Sequence, residues 1–297
     1  MKRFLTFTIL IICISSCAIL TEKQVGSISR MAVYSDSLAS APSVIFSKLA
    51  DVRKERGFFY VATLSSSEKR VEELDAIYYA NLADKKLSKK ADASISVLES
   101  YLRSIKSLSS PTRWEGAGVE IRGLGRNLDS LVIKYNELGW NEEVSEGDIK
   151  EISYSVSYLA EQYLKLRQAE VLRNYLPIGD TLIELCTDQL VEVLKDESLV
   201  QLIDNEKIGL REDYLSYVEL ANNNDDRRYL QLLAEIDNIE QIRLKSIRSL
   251  QSLKRAHHKI VEQLDRPQEF DVVFDELLEL NIQAAELVKL FNMKQDE

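Results

Sequence analysis

The sequence of 297 residues has few of the residues that most often carry chemistry: three cysteines and two histidines. The histidines, His257 and His258, are adjacent, and neighbours in a helix point about 100° apart, so we expect that they cannot share one ligand site. The sequence contains no thiolate cluster and no Glu-x-x-His pair of the di-iron type. We therefore expect no metal site and no cofactor.

The groups needed for nucleophilic catalysis are equally scarce. A serine or cysteine nucleophile needs a positioned base and an orienting acid, and only the adjacent histidines can supply an imidazole base. The G-x-S-x-G motif is absent. Cys186 lies in a helical pattern near its apolar side, which predicts a buried and inert thiol. We expect no catalytic residues, and the chain is predicted not to be an enzyme.

Proline and glycine are also rare, with four and ten copies. Long stretches without them, with apolar residues every three or four positions, predict an all-α fold. We expect an elongated multi-helix bundle with several helices of about 30–44 residues. Pro42 fits the first turn of a helix, and Pro177 and Pro267 are predicted to start new helices. The stretch 57–64 has some strand character, which leaves a bend open there.

Two predicted helices are long enough to dominate the bundle. One begins after Ser66 and runs to Leu108. The other runs from about Asp226, after a turn over 222–226, to Leu264. Each carries an apolar face. The face of the first is formed by Val71, Leu74, Tyr78, Leu82, Ala91, Ile95, Leu98, Leu102 and Ile105. That of the second is formed by Ile236, Ile239, Leu250, Leu253, Ile260 and Leu264, and Arg243, Ser246 and His257 interrupt it. We expect His257 to line this seam and His258 to be solvated.

A glycine cluster lies between the two halves of the chain. Half of the ten glycines fall between positions 116 and 139. The segment lacks Gly-x-Gly-x-x-Gly, because Ile121 occupies the third place, and it does not follow a predicted strand. It is therefore interpreted as a joint over 109–126, and a ligand site in this region remains an alternative. The residues of this candidate site are Trp114, Gly116, Gly118, Gly123 and Gly125.

The first seventeen residues have the order of a secretory signal. Lys2 and Arg3 precede an apolar run of eleven residues, 4–14, which is shorter than the roughly 20 residues of a membrane-spanning helix. The run ends in Ile14-Ser15-Ser16-Cys17, which resembles the bacterial lipobox. The resemblance implies removal of residues 1–16 and attachment of lipid to Cys17. Beyond it no family is indicated for the mature chain. We expect a lipidated leader over 17–27 and the helical bundle over 28–297.

The charge of the mature chain fits a membrane anchor made of lipid alone. Loss of Lys2 and Arg3 leaves 36 basic against 48 acidic side chains, a net charge of −12. Such a chain is unsuited to nucleic acid and is repelled by anionic headgroups. The resemblance implies a cell-envelope location. Ala18 follows the cysteine where an aspartate signals inner-membrane retention, so a Gram-negative host implies the outer membrane, facing the periplasm.

The resulting functional expectation is a membrane-anchored, non-catalytic envelope lipoprotein. Its helical surface would act as a scaffold or adaptor for a protein partner. Two alternatives stay open at this point. One is an envelope protein that binds a small ligand or polymer between helices, near Trp114. The other is an immunity or exclusion lipoprotein that blocks a toxin or phage. The oligomeric state is not indicated by the sequence.

Overall fold

The computed structural model describes residues 20–36, 38, 41–109, 168–221, 224–266 and 269–292. These residues form seven α-helices and no β-strand. The helices are α1 (Glu22–Ser35), α2 (Ala41–Thr63), α3 (Ser67–Ser109), α4 (Gln168–Lys195), α5 (Glu197–Leu220), α6 (Asp226–Glu262) and α7 (Val272–Asn292). The predicted all-α bundle is confirmed. The 43 residues of α3 make it about 65 Å long, so the bundle is elongated.

The first helix begins at Glu22, inside the stretch 17–27 that was predicted as a leader. The Thr21 side chain accepts a hydrogen bond from the backbone N–H of Gln24, and the Gln24 side chain accepts one from the backbone N–H of Thr21. This capping box satisfies N–H groups that a helix start leaves without partners. The Gln24 amide also donates to the carbonyls of Gln263 and Leu264. The polar residues of this stretch thus start and anchor a helix.

The α2–α3 hairpin follows the predicted boundaries. Pro42 lies in the first turn of α2, and the strand-like stretch 57–64 is helical as far as Thr63. The Ser66 hydroxyl accepts a hydrogen bond from the backbone N–H of Lys69 at the start of α3. The Asn81 amide donates to the carbonyl of Ala50 at 3.0 Å, which ties the two antiparallel helices together.

Pro177 does not restart a helix, contrary to the prediction, because it lies inside α4. A proline in a helix interior costs about 3 kcal/mol, since it lacks an N–H and crowds the preceding turn. Tertiary packing outweighs this cost: the ring of Pro177 is exposed, while its neighbours on the inner face are buried. These neighbours are Leu172, Tyr175, Leu176, Leu182 and Ile183. The chain breaks instead at Asp196, whose side chain caps α5 through the N–H of Ser198.

The ends of α6 and α7 differ in how well the sequence predicted them. Asp225 caps α6 by accepting from the N–H of Arg228 at 3.1 Å, within the predicted turn. The last helix begins at Val272 and not at Pro267. Phe270 is fully buried in the turn just before α7. The chain therefore first places this ring in the core and only then resumes a helix.

The central helix is α6, which packs against α1, α2, α4, α5 and α7. Its predicted apolar face is buried, and so are the three polar residues that interrupt it. Among these, Arg243 donates from Nη1 to the carbonyl of Leu194 at 2.7 Å and pairs with Glu240. Leu194 lies in the last turn of α4, where carbonyls lack helical partners. The buried guanidinium therefore completes a helix end.

Two ends of the bundle can be defined along α6. Gln24, near the start of the described chain, contacts Gln263 just after α6, and we call this the entry end. Tyr229, near the start of α6, stacks on Tyr214 with ring centroids 4.5 Å apart, and Tyr214 contacts Phe59. We call this the far end. The 37 residues of α6 separate the two ends by about 55 Å.

Candidate functional site

The site residues predicted from the sequence all lie outside the described residues. They are Ile14, Ser15, Ser16 and Cys17 of the lipobox, and Trp114, Gly116, Gly118, Gly123 and Gly125 of the glycine cluster. Three other features of the described chain stand out: a buried hydrogen-bond network, a charged cleft and an exposed apolar stripe.

A chain of hydrogen bonds joins α3, α4 and α6 in the interior, towards the entry end. The Tyr101 oxygen lies 2.7 Å from Nε2 of His257, and Nδ1 of His257 lies 2.8 Å from Oδ1 of Asp180. Both Tyr101 and His257 are 0% exposed. A neutral imidazole with its proton on Nδ1 satisfies both bonds, because it accepts from the phenol and donates to the carboxylate.

His258 extends this network to the surface. Its Nδ1 lies 2.8 Å from Oδ2 of Asp180, and its side chain is 59% exposed. The prediction of one seam histidine and one solvated histidine is confirmed. Asp180 offers a different oxygen to each ring, so one carboxylate accepts a hydrogen bond from each of two rings that point in different directions. Side chains of adjacent helical residues point about 100° apart, and one carboxylate on the neighbouring helix still hydrogen-bonds to both rings.

Gly179, next to Asp180, makes room for the network. An alanine Cβ at this position would lie 1.7 Å from the Tyr101 oxygen and 2.0 Å from its Cζ. On its other side the Tyr101 ring stacks on Tyr175, with centroids 5.3 Å apart. The Tyr101 ring therefore occupies the space next to position 179, where only glycine leaves enough room for it.

Burial and hydrogen bonding move the pKa values of this network in opposite directions. Burial raises the pKa of Tyr101 well above its usual value and lowers that of His257. For Asp180, burial favours a higher pKa, but the hydrogen bonds from both histidines outweigh it and the pKa is lowered. The hydrogen bond to Asp180 raises the pKa of His258. At neutral pH the interior thus holds a neutral phenol, a neutral imidazole and a carboxylate.

The order of phenol, imidazole and carboxylate is that of a relay that activates a hydroxyl group. In this structure the phenol and the buried ring are fully enclosed, so no reactant reaches the Tyr101 oxygen. Satisfied polar groups of this kind fix the packing of a core, since an unpaired buried group costs about 1–3 kcal/mol. The network therefore sets how α3, α4 and α6 fit together.

Replacing His258 with glutamine should make the stability of the protein less dependent on pH. The pKa of His258 is raised in the folded state by Asp180, with smaller contributions from Glu262 and Glu184. Its contribution to stability is therefore full below the unfolded pKa of about 6.5 and is lost as pH rises through the folded pKa. The ring is largely exposed, so solvent screening keeps the effect below about 1 kcal/mol.

Urea unfolding at pH 5.5 and pH 8.5 measures this difference. We expect wild type to exceed His258→Gln in stability by more at pH 5.5 than at pH 8.5. His257→Gln serves as the comparison, because the pKa of the buried ring is lowered and its pH effect has the opposite sign. An equal difference between wild type and His258→Gln at both pH values would contradict the assignment.

The second feature is an open cleft of about 440 Å³ between α2, α3 and α5, near the far end. Glu206 is buried beside it and lies 2.8 Å from Nε of Arg53 and 3.2 Å from Nε of Arg56. Arg56 also lies 3.5 Å from Asp213. The charges of this wall neutralise one another. Much of the remaining wall is made of small residues, which are Ala50, Gly57, Ala76, Ala80 and Gly209. The cleft is thus lined by charges that pair with one another and by small side chains.

The third feature is an apolar stripe on the first half of α3, formed by Val71, Leu74, Tyr78 and Leu82. These side chains are exposed by 40–60%. They belong to the predicted apolar face of the helix, whose later members are 0–3% exposed. The later members are Ile95, Leu98, Leu102 and Ile105, and the side chain of Ala91 lies outside the described residues. At about 100° per residue the two groups point roughly 140° apart around the helix, so they form two faces and not the single predicted face. The later face is buried and the earlier one is exposed.

The bare stripe is part of a wider apolar surface at the far end. The described residues include 17 large apolar side chains that are exposed, and 12 of them lie on the parts of the chain that build this end. The 12 are Phe58, Tyr60, Val71, Leu74, Tyr78, Tyr79, Leu82, Ile208, Leu215, Val218, Leu220 and Leu230. Exposed apolar surface concentrated in this way marks interaction sites.

Comparison with known proteins identifies no relative of this chain. No family model matches the chain, and neither a curated protein nor a solved structure matches it. Within the described residues, no group of three or more histidine, cysteine, aspartate or glutamate side chains is arranged to hold a metal ion. The same residues include no helix with the length and apolar character needed to cross a membrane.

Sequence reasoning found some parts of these features and missed others. It identified His257 as a seam residue and predicted that Cys186 is buried. Cys186 is partly buried against the core, and the loss of solvent there raises the pKa of its thiol to about 12. It missed Asp180 and Tyr101, which are 77 and 156 positions from His257. One feature of the sequence pointed to these missed partners. A histidine within an apolar seam, such as His257, requires buried hydrogen-bond partners on other helices.

Proposed function

We propose that the chain is a lipid-anchored envelope protein that acts without catalysis and presents its far end to a protein partner. The lipobox-like sequence at Ile14–Cys17 supports the anchor. Cys17 precedes Leu20, the first described residue, by three positions, which is about 10 Å of chain. Leu20 lies next to the Gln24 contacts at the entry end. An anchor at Cys17 would therefore be attached at the entry end, opposite the far end.

The observation that carries this proposal is the concentration of exposed apolar side chains at the far end. A protein tethered at one end can reach a partner most easily with the other. Tyrosine is favoured at interfaces because its ring buries a large area at a low entropic cost. Tyr78 and Tyr79 lie next to each other there and are 60% and 67% exposed. The α3 stripe and the adjacent Tyr79 therefore supply large exposed side chains that a partner could bury.

Photocrosslinking in cells tests this proposal. With p-benzoylphenylalanine in place of Tyr79, we expect one dominant crosslinked protein, because the far end meets the partner. Leu278 is the control position, since it is 58% exposed on α7, outside the far end. The proposal fails if position 79 gives no dominant product, or if both positions give the same one.

A further inference from the structure

We propose that the partner segment on the α3 stripe is an amphipathic helix whose apolar face is bordered by basic side chains. This inference rests on the proposed function, because it names the chemistry of the partner at the far end. It depends on three observations: the spacing of the stripe, the charge along its border and the distance of the stripe from the rest of the chain.

The spacing of the stripe fits a second helix. Val71, Leu74, Tyr78 and Leu82 follow one another at intervals of three, four and four residues, so they form a single ridge on one side of α3. The ridge spans about 17 Å, or three helical turns. Ridges of this kind pack against grooves of another helix, as the second half of α3 does inside the bundle. The stripe therefore offers one side of a helix pair.

An acidic border follows the stripe along one edge. Glu68, Glu72 and Asp75 are exposed and lie next to the apolar ridge at helical spacings of four and three. Within the described residues none of the three forms an ion pair. Like charges at these spacings repel and weaken an isolated helix by a few tenths of a kcal/mol per pair. Lysine or arginine side chains on a partner would relieve this repulsion, which gives the basic border of the proposed helix.

The stripe lies far from both points where the described chain meets the segment 110–167. Ser109 ends α3 and Gln168 begins α4, and Arg173 near the start of α4 contacts Asp265 at the entry end. Val71 lies 38 residues before Ser109 along α3, which is about 57 Å. The proposed occupant is therefore a separate partner.

Two synthetic peptides test the inference with the purified, lipidated full chain in detergent. Both are 18-residue helices with a leucine stripe, bordered by lysines in one and by glutamates in the other. We expect the lysine peptide to bind at least about tenfold more tightly, because three exposed ion pairs of ordinary strength combine to this amount. The preference should shrink in high salt.

Matched variants locate the effect. The triple variant Glu68→Gln, Glu72→Gln, Asp75→Asn should lose about tenfold in affinity for the lysine peptide. The control variant Glu192→Gln, Asp204→Asn, Asp275→Asn removes the same charge from exposed positions elsewhere and should bind like wild type. Tyr78→Ser should abolish binding while the circular dichroism spectrum stays unchanged, because this side chain is 60% exposed.

The possible failures are distinct. Equal binding of the two peptides, or equal loss in the two triple variants, overturns the basic border and leaves the docking surface intact. No binding of either peptide to wild type overturns the stripe as a helix-docking site, and the crosslinking at position 79 then decides the proposed function separately. A dimer in sedimentation that Tyr78→Ser dissociates would also overturn the inference, in favour of a second copy of the chain.

Discussion

Replacing Gly179 with alanine should destabilise the protein by about 3 kcal/mol and lower its Tm by about 6–12 °C. The added Cβ would lie 1.7 Å from the oxygen of Tyr101, far inside contact distance. The phenol cannot move away easily, because it is fully buried between Tyr175 and the ring of His257. Moving it would also break the hydrogen bond to His257 and leave a buried nitrogen without a donor. Thermal unfolding followed by circular dichroism measures the effect.

Gly26→Ala is the matched control for this substitution. Gly26 also lies within a helix, α1, but an added Cβ there would meet no atom closer than 3.9 Å. Alanine in an open helical position stabilises by up to about 1 kcal/mol, so this variant should unfold at the wild-type temperature or above. The clash is further tested by Tyr101→Leu, in which Gly179→Ala should cost much less. A Gly179→Ala protein as stable as Gly26→Ala would contradict the packing described here.

The elements of the fold that depend on local sequence were predicted well. Helix α3 runs almost as expected from the spacing of its apolar residues, and Asp225 caps α6 inside the expected turn. Both features depend on residues within a few positions of one another, so the sequence contains the information directly. The polar interruptions of the α6 seam were also placed correctly, because helical periodicity fixes which side of α6 faces inwards.

The errors share a different cause. Pro177 was expected to end a helix, yet α4 continues through it because the residues around it are held in the core by other helices. Asp180 joins the two histidines only because α4 packs against α6 in one particular register. These features are decided by contacts between distant parts of the chain, which one sequence does not reveal.

The exposed stripe on α3 shows the same limit in another form. Val71, Tyr78 and Leu102 were predicted to share one face, but at about 100° per residue the first two point well over 100° away from Leu102. The first half of α3 instead turns Ile77 and Asn81 towards α2, at Gly57 and Ala50. Leu102 is buried, while Val71 and Tyr78 remain exposed. A list of apolar positions does not say which of them the same chain covers, and only the structure supplies that information.

Replacing Cys17 with serine should abolish incorporation of labelled palmitate and shift the protein from the membrane fraction to the soluble fraction. In the lipobox that residues 14–17 resemble, the cysteine thiol is the atom that accepts the lipid, and serine has no thiol. Two or more acyl chains hold a protein stably on a bilayer, whereas none leaves only its surface. With residues 1–16 removed as predicted, that surface carries a net charge of −12 and is repelled by anionic headgroups. Label counting and fractionation after carbonate extraction measure the loss.

Cys13→Ser is the control, because this cysteine lies in the apolar run of the predicted signal and outside the lipobox-like residues. It should keep both label and membrane association. Wild-type protein without lipid at its mature N-terminus would contradict the anchor, and so would a labelled Cys17→Ser protein. Loss of the anchor should leave the Tm unchanged, since Cys17 precedes the capped start of α1 at Thr21. A released protein that still binds the lysine peptide would show that attachment at one end and recognition at the other are separate properties of the bundle.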